Sequence, residues 1–223
     1  MADQIKGNMW RVYNWHSSAG FTTNPAYQGL RDMVLKRPAL FVCPTSTAQR
    51  IVIEAQGNLS FNDPLEQKAG TSTYAFSHGT YGPGYAPPGA SSDVNEQTMC
   101  GNTGMFNFAV HLNPKKVLDG LSKTFAVGEV KAADTLHGYN IWGYASRHES
   151  GLRTTLNVLN EIPGMGTTRD EPWGSKYNGA FGSEHAGGAQ FVFGDGHVEF
   201  ISDDIDHDLY DQMATISSQV PRP

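Results

Sequence analysis

At 223 residues the chain is long enough to bury a real core as one large domain or two small ones. Its 17% charged residues exclude a solvated, disordered chain, and its 25 glycines and 12 prolines predict many turns and ordered loops between short strands. A net charge of −6, with lysines and arginines scattered singly or in pairs, excludes the basic face that nucleic acid or an anionic membrane surface requires.

The opening residues Met1-Ala2-Asp3-Gln4 carry no charged n-region, apolar h-region or cleavage site. No apolar run approaches the roughly 20 residues that span a bilayer, so the chain by itself reads as soluble. Residues 4–16 place Ile5, Met9, Val12 or Tyr13, and His16 on one stripe at helical spacing, predicting a short amphipathic helix whose stripe lies on a sheet. A second helix is predicted over 26–36, with Leu30, Met33 and Val34 on one face and Pro38 as the stop.

Beyond Pro38 the period changes. Leu40–Cys43 and Ile51–Ile53 read as short strands, 54–72 as a polar loop, and 72–92 as a long irregular loop rich in Gly, Pro and Tyr. Met105–Val110, Thr124–Val130 and Tyr139–Ala145 read as further strands, and Thr154–Glu161 as a short helix with Leu156 and Leu159 or Asn160 inward. The two cysteines, Cys43 and Cys100, belong to no C-x-x-C pair and so lack the usual spacing of a structural zinc site. They are open to one disulfide or to two separate buried thiols.

The strongest local pattern is residues 188–201, GAQFVFGDGHVEFI, two alternating runs around Asp195-Gly196. A two-residue type I′ turn there puts Phe193 opposite Val198 and Phe191 opposite Phe200, with all four on the core face. The segment from 202 begins with acidic residues and continues with Ile205, Leu209, Met213 (or Gln212) and Ile216, a capped amphipathic helix starting near Asp203 or Asp204. The order predicts a single α+β domain over 1–223, with helices on one face of an antiparallel sheet, long loops, and a C-terminal hairpin plus helix.

His185, nine residues, then Asp195-Gly196, set in FGSEHAGGAQFVFGDGHVEFIS, resembles the signature of the prepilin-type processing-associated H-x9-D-G family. YNWHSSAG at 13–20, FVCPTS at 41–46, STYAFSHGTYG at 72–82 and VLDGLSKTFAVGE at 117–129 are similar to other segments of that family in the same order. Lys123 stands where the family commonly has Asn.

The resemblance implies a pilin-like head related to the pseudopilins of type II secretion, non-catalytic and exposed at the periplasmic or cell-surface side. Its partners would be other pilin-like subunits, met through a leading hydrophobic helix that precedes the segment present here. That anchor would also be its one link to the membrane. The motif itself reads structurally: Asp195-Gly196 as the turn, Gly187-Gly188 as entry to the strand, and His185 bonded to backbone of the preceding loop. Pseudopilins bind calcium in a C-terminal loop, and Asp203, Asp204, Asp206 and Asp208 supply hard oxygen ligands for Ca2+, with Asp170 and Glu171 as contributors. The same acids equally serve to cap a helix N-terminus, and their spacing is not that of an EF-hand.

Enzyme signatures are absent: the sequence has no G-x-S-x-G elbow, no H-E-x-x-H and no P-loop. The alternative to an assembly role is an extracellular glycan- or solute-binding module, with Tyr74, Tyr81 and Tyr85 stacking on sugar rings and Trp142 and Trp173 assisting.

Overall fold

A computed structural model describes residues 32, 36–47, 51–53, 68–80, 102–107, 110–131, 140, 151–161 and 180–218. The chain folds as α+β. Strands β1 (Ile51–Ile53) and β2 (Lys68–Gly70) form an antiparallel pair. The main sheet contains β3 (Tyr74–Gly79), β4 (Phe125–Glu129), β5 (Leu152–Thr154), β6 (Gly188–Phe193) and β7 (Val198–Ser202), in the order β5-β3-β4-β6-β7. Helix α1 (His207–Ala214) packs across β3 and β4. The sheet is mixed rather than wholly antiparallel, because β5 runs parallel to β3. The expected helix at 4–16 lies outside the described residues, as does the strand at 139–145 apart from Asn140; of the 26–36 helix only Asp32, which is helical, and Lys36 are described.

The core forms between one sheet face and α1. Phe125, Phe181, Phe191 and Tyr210 are completely buried. Phe125 stacks on Phe191 at 4.2 Å, Phe181 meets Phe191 edge-on at 5.1 Å, and Tyr210 lies against both Phe125 and Phe191. Each buried phenylalanine contributes about 2–3 kcal/mol of transfer free energy. Gly128 lets the rings close over β4, since a β-carbon there would lie 2.5 Å from both Phe181 and Phe191.

The C-terminal hairpin is present, but its register differs by one from the expected one. Val192 pairs with Val198, Phe191 with Glu199 and Ala189 with Ile201. The loop has three residues, Gly194-Asp195-Gly196: the N–H of Phe193 bonds to the carbonyl of His197, and that of Gly196 to the carbonyl of Phe193. Gly196 has φ 93°, the left-handed residue that such a loop requires. Gly194 donates its N–H to Thr124 on the β4 side, so it joins the loop instead of pairing with His197 across a two-residue turn. A one-residue slip turns a whole strand over. Ile201 is therefore buried, while Val198 and Phe200, expected inside, are 60% and 43% exposed.

Other departures have local causes. Leu40–Cys43 is not a strand: Ala39–Phe41 is a 3-10 turn after Pro38, and Leu40 points into solvent. The Gly- and Tyr-rich segment expected as a loop from 72 holds a central strand, β3, and 68–70 is β2 rather than loop. Around Met105–Val110 the described residues form a single bridge, Asn107 to Val110. There the Asn107 side chain bonds to the backbone of Asn102 and Gly104, which competes with a ladder. The expected 154–161 helix is instead the end of β5 followed by turns, with Leu159 buried and Asn160 left-handed at φ 66°. In α1 the stripe centres on Tyr210 and Ala214, with Ile205 and Met213 packed beside it, and Leu209 is half exposed instead of inward.

Candidate functional site

The face of the sheet away from α1 carries a buried polar cluster. In the antiparallel register Tyr74 lies opposite Glu129 and Ala75 opposite Gly128. Side chains alternate along a strand, so Ala75 and Gly128 face the core while Tyr74 and Glu129 share the other face. The Glu129 side chain is only 3% exposed. Its Oε2 accepts the backbone N–H of Gln190 on β6 at 2.7 Å, which holds the carboxyl in place and turns Oε1 toward the loops above.

Two loops complete the cluster. The first follows the 3-10 turn, where Phe41 accepts the N–H of Thr73 and the N–H of Cys43 bonds to Thr73 Oγ1 at 2.6 Å. This sets the Cys43 sulfur over the strand ends. The second leads into β6: Ser183 Oγ donates to the carbonyl of Gly188 at 2.6 Å and accepts the N–H of His185 at 3.0 Å. The imidazole then reaches inward, with Nε2 3.4 Å from Cys43 Sγ and 3.4 Å from Glu129 Oε1. The ring of His185 thus meets side chains rather than the backbone of the preceding loop. The three donor atoms of Cys43, Glu129 and His185 all lie within 4.8 Å of one another.

Thr45 Oγ1 is 3.1 Å from the Cys43 sulfur, and the Tyr74 phenol lies near Cys43. Burial pushes the Tyr74 phenol above the usual tyrosine range, and the neighbouring Cys43 and Glu129 add to the rise. A cavity of ≈ 10 Å³ opens beside the cluster, lined in part by Cys43, Thr73, Glu129 and Ser183, with room for about one water-sized species.

A thiol–imidazole–carboxyl relay divides its contacts between the two ring nitrogens, one toward the nucleophile and the other toward the carboxylate. Here both contacts fall on Nε2. The three groups converge on a common point.

The other expected residues are placed apart from this cluster. Asp195 accepts from the His197 backbone at 3.1 Å and from its ring Nδ1 at 2.6 Å. Asp206 caps α1 through the N–H of Leu209, Asp208 lies in the first turn, Asp203 accepts from Asn160, and Asp204 is exposed. Among the described residues the metal-type cluster is the one at Cys43, not these aspartates. Tyr74 is half-buried near Cys43, while Tyr81, Tyr85, Cys100, Trp142, Asp170, Glu171 and Trp173 lie outside the described residues. Cys43 is a free thiol. Nothing in the sequence singles out Glu129. A dyad of Cys43 or Cys100 with a histidine is conceivable from the sequence, but reading Cys43 in an apolar strand argues for an inert thiol. The one signal for His185 as its partner is that each residue sits in a segment carrying the family resemblance.

A family model, SBP_bac_10, described as a protein of unknown function (DUF1559), matches residues 4–208. The chain belongs to DUF1559. No curated protein and no solved structure matches this DUF1559 chain. No helix among its described residues is long and apolar enough to cross a membrane.

Proposed function

We propose that this DUF1559 chain is the non-catalytic head of a pilin-like bacterial surface subunit, displayed at the periplasmic or cell-surface side and joined to other pilin-like subunits through a leading hydrophobic helix. The sequence support is the resemblance of five segments, in order, to the H-x9-D-G family. The structural observation that carries the non-catalytic part is the meeting of four of those segments. Cys43, Tyr74, Glu129 and His185, one from each, meet at a single partly buried junction between loops and sheet. The residues behind the resemblance converge on one junction within the fold, and their contacts on a single imidazole nitrogen are not those of a relay. The test expresses the gene's full reading frame in its native host and crosslinks intact cells. Recovery of the protein in the membrane fraction, crosslinked to pilin-like subunits, is expected. A product that stays cytosolic, or reaches the membrane without such a crosslink, overturns the reading.

A further inference from the structure

We infer that Cys43, Glu129 and His185 form a binding site for a divalent transition ion of the zinc class. This goes beyond the assembly role and does not depend on it. Three features carry it. The first is distance. Zinc bonds of about 2.3 Å to sulfur and about 2.05 Å to nitrogen or oxygen, at tetrahedral angles, leave ligand atoms about 3.5 Å (S to N) and about 3.3 Å (N to O) apart. The observed separations from His185 Nε2 are 3.4 Å to Cys43 Sγ and 3.4 Å to Glu129 Oε1. A single ion among the three atoms satisfies both at once.

The second feature is burial. A carboxyl taken from water is costly unless opposite charge or several donors meet it. Glu129 is buried on a strand, with the Gln190 N–H on Oε2 and His185 facing Oε1. Thiolate and carboxylate together carry two negative charges, which a divalent ion balances. The third is support around the ligands. The Gln190 N–H orients the carboxyl, Ser183 fixes the loop of His185, and Thr73 holds the backbone of Cys43. Such outer-shell bonds position the ligands of metal sites.

A thiolate ligand selects against calcium and magnesium, which take oxygen, and favours zinc or a similarly soft ion. Binding forms the metal–sulfur bond and releases the Cys43 thiol proton to solvent, so affinity falls with falling pH. A cavity of ≈ 10 Å³, lined in part by Cys43 and Glu129, lies beside the site.

The test uses the chain after chelator treatment. Titration with Zn2+ against a chromophoric chelator is expected to show one equivalent bound and a raised melting temperature. Co2+ in place of zinc is expected to give a thiolate-to-cobalt charge-transfer band with the intense visible absorption of a four-coordinate ion. Cys100→Ser keeps that band and Cys43→Ser loses it. His185→Asn weakens zinc binding more than about 100-fold, beyond the about 10–100-fold cost of losing an outer-shell partner, while the metal-free variant melts with the unaltered chain. The cobalt spectrum is read on the unaltered chain, so a misfolded Cys43→Ser does not leave the matter open. Absence of zinc uptake, cobalt uptake without the band, a band that survives Cys43→Ser, or an affinity indifferent to His185→Asn each overturns the site.

Discussion

Strand β6 connects two regions built on opposite principles. At its start, His185 enters a cluster that draws on loops and strands distant in sequence, including Cys43, 142 positions away. At its end, the Asp195 carboxyl reaches only two residues along the chain, to His197, and the turn is solvent-exposed. The first region exists only when the sheet has assembled; the second is encoded in a few consecutive residues. A motif written as one histidine and one Asp-Gly pair thus joins a long-range polar junction to a local turn. Its two named ends make no contact with each other's partners, and what they share is the strand between them.

The heaviest blow to both ends at once is to the strand itself. Phe191 is completely buried against Phe125, Phe181 and Tyr210. Phe191→Ala is expected to cost about 3–5 kcal/mol in urea denaturation, taking the cluster and the turn together. A loss below about 1 kcal/mol would mean that the aromatic layer does not hold β6 in place.

The same contrast governs what was legible in the sequence. Strong alternation in 188–201 made the hairpin readable, and the acidic run ahead of an apolar stripe made α1 readable, although the helix begins at His207 behind an Asp206 cap and not near Asp203 or Asp204. The register escaped because it depends on Gly194 bonding to Thr124, a contact about 70 positions back in the chain. β3 escaped for a related reason: glycines and tyrosines that read as loop become a central strand once β4 and β5 flank it. The cluster of Cys43, Glu129 and His185 was illegible as a site, because no two of its ligands share a segment. The resemblance marked the segments but not their convergence.

A milder test separates the two ends. Gly196 has φ 93°, and a β-carbon added to it meets no atom within 4 Å, so Gly196→Ala imposes backbone strain without a clash. The expected cost is about 1–3 kcal/mol in the same denaturation measurement. Zinc affinity should be unchanged, since the substitution lies beyond the far end of β6 from His185. If Gly196→Ala weakens zinc binding as much as His185→Asn, the two ends are coupled and the contrast drawn above fails.

The smallest expected effect is electrostatic and belongs to the turn alone. The backbone N–H of His197, and then its ring, hold the Asp195 carboxyl below the usual aspartate range. A carboxyl with a lowered folded-state pKa binds fewer protons folded than unfolded over that interval, so its stabilisation is complete above the unfolded value of about 4 and is lost as pH falls through the folded one. The urea midpoint of the unaltered chain should therefore exceed that of Asp195→Asn at neutral pH, and the gap should close on acidification below about pH 4. Because the pair is solvent-exposed, added salt should narrow the gap at neutral pH as well. A difference that stays constant from neutral pH into acid would assign the residue's contribution to the shape of the turn and not to its charge.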